Sequence, residues 1–121
     1  MIGSNPRCAT VGPSFWGDGM YPPSGAMYYP LYTECCELDL PLCINAGVPG
    51  PSLPGEAQNP LHLDRVCNRF PEMKLCMVHG ADPWWDTAIR LMLRYCNLRL
   101  MTSAWSPKRL PQPLLRDMST R

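Results

Sequence analysis

Four short apolar runs recur along the chain, at residues 8–11 (CATV), 42–46 (LCINA), 75–78 (LCMV) and 98–101 (LRLM). Each has the length of a buried strand, for which a continuous run of about 4–8 apolar residues suffices. The segments between them follow the helical period instead. Tyr28, Leu31, Tyr32, Cys35 and Leu38 fall on one helical face; so do Leu63, Val66, Cys67 and Phe70, and then Trp84, Ala88, Leu91, Met92 and Tyr95. In the last segment Pro111 and Pro113 delay a regular helix until near Gln112, leaving Leu114, Leu115 and Met118 to pack. The order is β-α-β-α-β-α-β-α, an α/β alternation that implies parallel strands joined by right-handed crossovers.

Prolines punctuate this order. Asn59-Pro60, Asp82-Pro83 and Ser106-Pro107 each place a capping side chain before a proline, which predicts three helix starts. Leu40-Pro41 and Phe70-Pro71 mark helix ends. The loops are unequal. Those leading from helix to strand are short: Asp39-Leu40-Pro41, Pro71-Glu72-Met73 and Cys96-Asn97. Those leading from strand to helix are long or rich in polar and aromatic groups: GPSFWGDGMYPPSG, GVPGPSLPGEAQN, HGADP and TSAWSPK. In parallel α/β folds, ligands bind at the strand C-terminal ends, which here is the elaborate end.

Four βα units are half of an eight-unit barrel, which usually needs about 250 residues; this chain has 121. The expected fold is therefore a partial, half (β/α)8 TIM barrel, with a four-stranded open sheet as the alternative, in one domain over residues 1–121. A half-barrel leaves two strand edges uncovered, so a missing half-barrel or a homo-oligomeric partner is expected. The net charge of +1 offers no basic field for phosphates and argues against nucleic acid as a partner. The longest uncharged stretch, residues 40–55, is broken by four prolines, and no apolar run approaches the ~18 residues of a membrane span. The N-terminal MIGSNPRCAT has no apolar signal region. A cytoplasmic location is expected, and with it seven reduced cysteines, none in C-x-x-C spacing. A thiol-based redox role would rest on the adjacent pair Cys35-Cys36.

Candidate chemistry gathers at the strand ends. His79 closes the run LCMVH, where it can serve as general acid, general base or metal ligand, or simply as a hydrogen-bonded structural residue. Asn45 ends the preceding strand at the equivalent position; its neutral amide can hold a substrate oxygen but is a poor zinc ligand. Gly47 lets the following turn pass close to whatever lies above the sheet. Thr102 and Ser103 end the fourth strand with two hydroxyls that can bind a substrate or serve in capping and loop hydrogen bonds; Ser103 could in principle be a nucleophile, but no nucleophile elbow surrounds it. Trp16, Trp84, Trp85 and Trp105 flank the same end and can wall a pocket for a small molecule. Asp82 reads as a helix cap or a substrate-facing carboxylate, and Asp86 suits the positive end of a helix dipole. His62 reads as a surface or structural residue in the first turns of its helix.

Two segments, LYTECCELDLPLCINAGVPGP and NPLHLDRVCNRFPEMKLCMVHGADPWWDTAIRLMLRYCNLRLMTSAWSPKRLP, resemble the second half of proteins in the amidohydrolase-related (type 2) family. This group of metal-dependent TIM-barrel hydrolases includes aminocarboxymuconate-semialdehyde decarboxylase. The resemblance is strongest over residues 27–121, and most specific in FPEMKLCMVHGADPWW and NLRLMTSA. It implies an eight-stranded barrel with one divalent metal, zinc being the expected ion. It further implies metal ligands in a His-x-His pair, a later strand-end histidine and a final aspartate, beside a catalytic histidine. The family's catalytic histidine and its glycine fall on His79 and Gly80, and the preceding histidine ligand falls on Asn45. No His-x-His occurs in the sequence, and the chain stops before the aspartate. This chain alone is thus not expected to hold the metal. The resemblance implies a segment of a hydrolase or decarboxylase acting on a small carboxylated or aromatic substrate, with His79 as acid/base. The alternative is a non-catalytic half-barrel that binds a small molecule or pairs with a partner chain.

Overall fold

The computed structural model describes residues 9–11, 22–50, 52, 54–103 and 105–118. Cys8, Trp16, most of the first strand-to-helix loop and the side chain of Met118 lie outside the described set. Four strands form one parallel sheet in the order β1-β2-β3-β4: β1 is Ala9–Val11, β2 Leu42–Asn45, β3 Leu75–Val78 and β4 Leu98–Leu100. The helices α1 (Tyr29–Glu37), α2 (Leu63–Arg69), α3 (Trp85–Arg94) and α4 (Gln112–Met118) alternate with them. The four βα units of the half-barrel are present, and the sheet is open.

Alternation along the strands sorts the sheet into two faces. Leu42, Ile44, Leu75, Met77 and Leu98 join the helical residues Tyr32, Cys35, Leu63, Val66, Ala88, Ile89, Leu91 and Met92 in one buried cluster. The intervening residues Cys43, Cys76 and Val78 form a second cluster on the other face, with Met101 against it. The helices therefore cover one face, as the outer ring of a barrel does.

Each helix follows from its sequence. In α3, Ala88, Leu91 and Met92 recur at the helical spacing and are buried, joined by Ile89. Asp86 in its first turn and Arg94 in its last suit the two ends of the helix dipole. Before α2, Asn59 accepts a hydrogen bond from the Leu61 N–H at 3.0 Å, capping the short 3-10 turn Pro60–His62 that leads into the helix. Helix α1 buries Tyr32 and Cys35, and Tyr32 donates to the Pro23 carbonyl at 2.6 Å. Tyr29 and Tyr32 meet Phe70 edge-on at 5.3 and 5.4 Å between ring centres. The helix stops because Asp39 turns left-handed (φ 53°): Leu40 N–H then bonds the Cys35 carbonyl at 2.8 Å and Asp39 N–H bonds that of Cys36 at 3.2 Å.

Several expectations need correction. Leu38 is 62% exposed and Leu115 41% exposed, because Leu38 lies past the end of α1 and α4 turns only Leu114 inward. The Asp82-Pro83 peptide is cis, and α3 starts at Trp85, so the Asp82 carboxylate caps no helix and instead accepts from the Trp85 indole N–H at 3.1 Å. Ser106 makes no side-chain cap either; its backbone carbonyl accepts from Arg109 N–H and the turn Pro107–Arg109 closes without the hydroxyl. The expectation of uniformly reduced thiols fails at Cys43, which is disulfide-bonded. Cys35, Cys36, Cys67, Cys76 and Cys96 are free. Burial pushes the Cys76 thiol up to about 11 and the Cys67 thiol up to about 12. Burial also raises Cys35 and Cys36, which removes the thiolate character a redox pair would need. No helix among the described residues is long and apolar enough to cross a membrane.

Candidate functional site

The C-terminal ends of β2, β3 and β4 lie side by side because the register aligns Asn45 with Val78 and Met77 with Leu100. His79 is the first residue past β3 and is exposed. Its backbone is left-handed (φ 65°), a conformation that costs a non-glycine residue roughly 1 kcal/mol or more and persists only where the surroundings hold it. The surroundings here come from the segment after β4. The His79 N–H donates to Ser103 Oγ at 3.3 Å, ring Nδ1 lies 3.1 Å from the same Oγ, and the His79 carbonyl accepts from the Trp105 indole N–H at 2.9 Å.

Gly80 continues the left-handed turn (φ 75°), and its N–H donates to the Met101 carbonyl at 2.9 Å. A Cβ at this position would come within 2.6 Å of Trp85 Cη2 and 2.7 Å of Trp105 Nε1. Only a glycine lets the two indoles close over the turn, and they do so edge-to-face with ring centres 5.3 Å apart. The aromatic wall at His79 is thus Trp85 and Trp105. Trp84 is half-buried at the entrance to α3, with its N–H on the Ala81 carbonyl and its own carbonyl on Ala88 N–H.

The loop after β2 leans on the loop after β3. Gly47 (φ 88°) donates to the Gln58 carbonyl at 2.9 Å, and Val48 N–H donates to the Asp82 carbonyl at 2.8 Å. A Cβ on Gly47 would stand 2.9 Å from that same Asp82 oxygen, so the two loops touch backbone to backbone. Asn45 is half-buried at the end of β2, and Thr102 is half-buried after β4, where its carbonyl accepts from Trp105 N–H at 3.1 Å. The fold therefore brings His79, Ser103 and Trp105 into direct contact. Gly47 and Asp82 meet beside them through backbone, and Asn45 and Thr102 sit on the flanking strand ends.

Two features escaped the sequence reading. Ser103 was readable as a hydroxyl at a strand end, but its bond to His79 spans 24 residues and no local pattern encodes it. Gln58 is 4% exposed, and its buried side-chain Nε2 has no partner among the described residues. It lies on the long β2–α2 loop, and no local pattern marks it for burial. His62, by contrast, stays apart: its Nε2 bonds the Glu56 carbonyl at 3.1 Å within its own loop.

Among the described residues no group of three or more His, Cys, Asp or Glu side chains converges to hold a metal ion. These residues do not fit the mononuclear metal of the resemblance, because one histidine with a serine and an indole is not a cage. A recess of about 300 Å³ does open in the molecule, but it lies at the opposite end of the sheet, lined by Lys74, Cys76, Cys96 and Arg99 among others, and holds none of the candidate residues.

None of the curated proteins compared matches the chain. Among solved structures, the crystal structure of an uncharacterised TIM-barrel protein from Bordetella bronchiseptica is similar, at 31% identity and a TM-score of 0.69. The match covers 79% of this chain and 34% of that one, so the chain spans about a third of the length of this barrel relative. The family described as Amidohydrolase matches residues 10–117. That range takes in β2, β3, β4 and all but the first residue of β1, with the His79–Gly80 turn and the Ser103 and Trp105 side chains that hold it, and the chain belongs to the Amidohydrolase family.

Proposed function

We propose that this chain supplies the acid/base part of a hydrolytic or decarboxylating site for a small carboxylated or aromatic molecule, with His79 as the group that moves the proton. The observation that carries the reading is the state of the His79 ring. The ring is exposed at a strand C-terminal end, fixed on one side by Ser103, with Nε2 bonded to no described residue. A histidine so held keeps one nitrogen for the protein and one for a ligand. Asn45 and Thr102 stand on either side as groups able to hold a substrate oxygen, and the Trp85–Trp105 pair offers an aromatic wall. Hydrolysis and decarboxylation both fit this arrangement, and family membership supports the hydrolase class.

The experiment is a titration of the isotope-labelled chain with benzoate, a small carboxylated aromatic, read at the His79 ring and the Trp105 indole N–H. Both resonances are expected to move, and the Trp105 shift is expected to vanish in His79→Ala. Unmoved resonances at millimolar benzoate would sink the reading.

A second proposal concerns completion of the sheet. β1 and β4 stand at its two ends, and the chain spans about a third of its barrel relative. We infer that further strands pair with these edges, from a longer form of the protein or from a second copy of this chain. Sedimentation of the 121-residue chain is expected to show a dimer or larger species if a second copy serves. A monodisperse monomer at high concentration would exclude that route.

A further inference from the structure

We infer that Ser103 is a positioning residue that sets the tautomer of His79, so that the neutral ring presents Nε2–H, a hydrogen-bond donor, to the ligand. The inference rests on the reading of His79 as the ligand-facing group and adds what kind of atom it meets. A serine oxygen has one hydrogen to give and two lone pairs to receive. One lone pair already receives the His79 backbone N–H at 3.3 Å. Ring Nδ1 of the same residue lies 3.1 Å away. If Nδ1 carried the ring proton, Oγ would take two hydrogens from one residue and have to send its own elsewhere, and no other described bond of this hydroxyl exists. If Nδ1 is bare, the Oγ hydrogen points at it and the N–H, the hydroxyl and the ring nitrogen are all satisfied together. The ring proton then resides on Nε2.

The backbone makes this sharing feasible. The left-handed turn at His79 carries the residue's own N–H and its ring nitrogen to one oxygen. The Trp105 indole holds the His79 carbonyl at 2.9 Å, and Gly80 admits that indole at a distance no other residue would allow. The same hydroxyl and indole thus hold both backbone groups of one residue, and the hydroxyl also meets its ring at Nδ1. A donor at Nε2 selects for an acceptor on the ligand, so the group it meets is a carboxylate or carbonyl oxygen rather than an amine or a hydroxyl hydrogen. Ser103 acts through His79 and need not touch the ligand.

The test is long-range ¹H–¹⁵N NMR on the histidine-labelled 121-residue chain without ligand, above the pH at which the ring titrates. His62→Gln assigns the two rings. Wild type is expected to show a protonated Nε2 and a bare Nδ1 moved upfield by its hydrogen bond. In Ser103→Ala that Nδ1 resonance should move downfield to the value of an unbonded ring nitrogen, and Ser103→Thr, which keeps the hydroxyl, should restore it. A protonated Nδ1 in wild type, or an Nδ1 resonance unmoved by Ser103→Ala in a chain with an otherwise unchanged spectrum, overturns the inference. The measurement uses the resting chain, so failure to bind benzoate would overturn the proposed function and leave this result standing.

Discussion

The two ends of the sheet are built on different principles. At the end where strands begin, the chain reverses in a few residues and closes its own polar groups. The Asn97 side-chain amide donates to the Phe70 and Met73 carbonyls at 3.1 and 3.0 Å, and Lys74 pairs with Asp39 at 2.9 Å in solvent. One described residue there, Asp39, is left-handed. At the end where strands finish, three described residues are left-handed, Gly47, His79 and Gly80, and beside the within-loop bonds of Asn59, His62 and Asp82, Ser103 and Trp105 reach across to the His79 turn. The first end closes each turn on its neighbour, with every described backbone residue there but Asp39 right-handed or extended. The second holds an exposed histidine in a costly conformation with residues 24 and 26 positions away. The difference teaches where the fold can be altered cheaply and where it cannot.

The sharpest test of that contrast is Gly80→Ala. A methyl group would collide with both indoles on a backbone that disfavours any side chain, and a loss of about 3 kcal/mol in urea unfolding is expected. A loss below about 1 kcal/mol would mean that the indoles yield readily and that the turn is not closed as described. Next is Asn97→Ala at the other end, which removes the amide donor from two backbone carbonyls, Phe70's keeping the Met73 N–H and Met73's losing its side-chain partner, and is expected to cost about 2 kcal/mol in the same assay. Trp105→Phe keeps an aromatic ring but removes the N–H on the His79 carbonyl and part of the contact with Trp85; about 1 kcal/mol or a little more is expected, together with faster amide exchange at Gly80. Smallest is Lys74→Ala. Both partners of its ion pair are largely exposed, and a change of at most about 0.5 kcal/mol, shrinking with added salt, is expected. If Lys74→Ala cost more than Trp105→Phe, the comparison would be reversed.

The fold was legible because two periods alternate without ambiguity. The runs LCIN and LCMV are apolar at every position but the last of the first, and strands β2 and β3 occupy them. Ala88, Leu91 and Met92 repeat at the helical spacing and are buried in α3. What failed was local chemistry read one residue at a time. Asn59 caps its turn and Asp82 does not, although both precede a proline, because the chain after Pro83 delays its helix to Trp85. At the site, His79 was visible from its place after a strand. Its partners were not, since Ser103 and Trp105 reach it only once β4 lies beside β3. The disulfide at Cys43 was equally invisible, for cysteine spacing without a fold does not specify pairing.

The strand order β1-β2-β3-β4 has a consequence for the time in which the protein is made. Each strand pairs with the one synthesised before it, so every new unit finds a finished edge to land on and no earlier part must wait for a later one. Such a sheet can grow from the ribosome in the order in which it is translated. The histidine turn is the exception. When residue 79 emerges, neither the hydroxyl nor the indole that will grip it yet exists, and the turn stays unclasped until the exit segment of the fourth strand arrives. The first three βα units are thus laid down before the site is, and a nascent chain halted anywhere short of residue 105 would carry at most those units and no assembled centre.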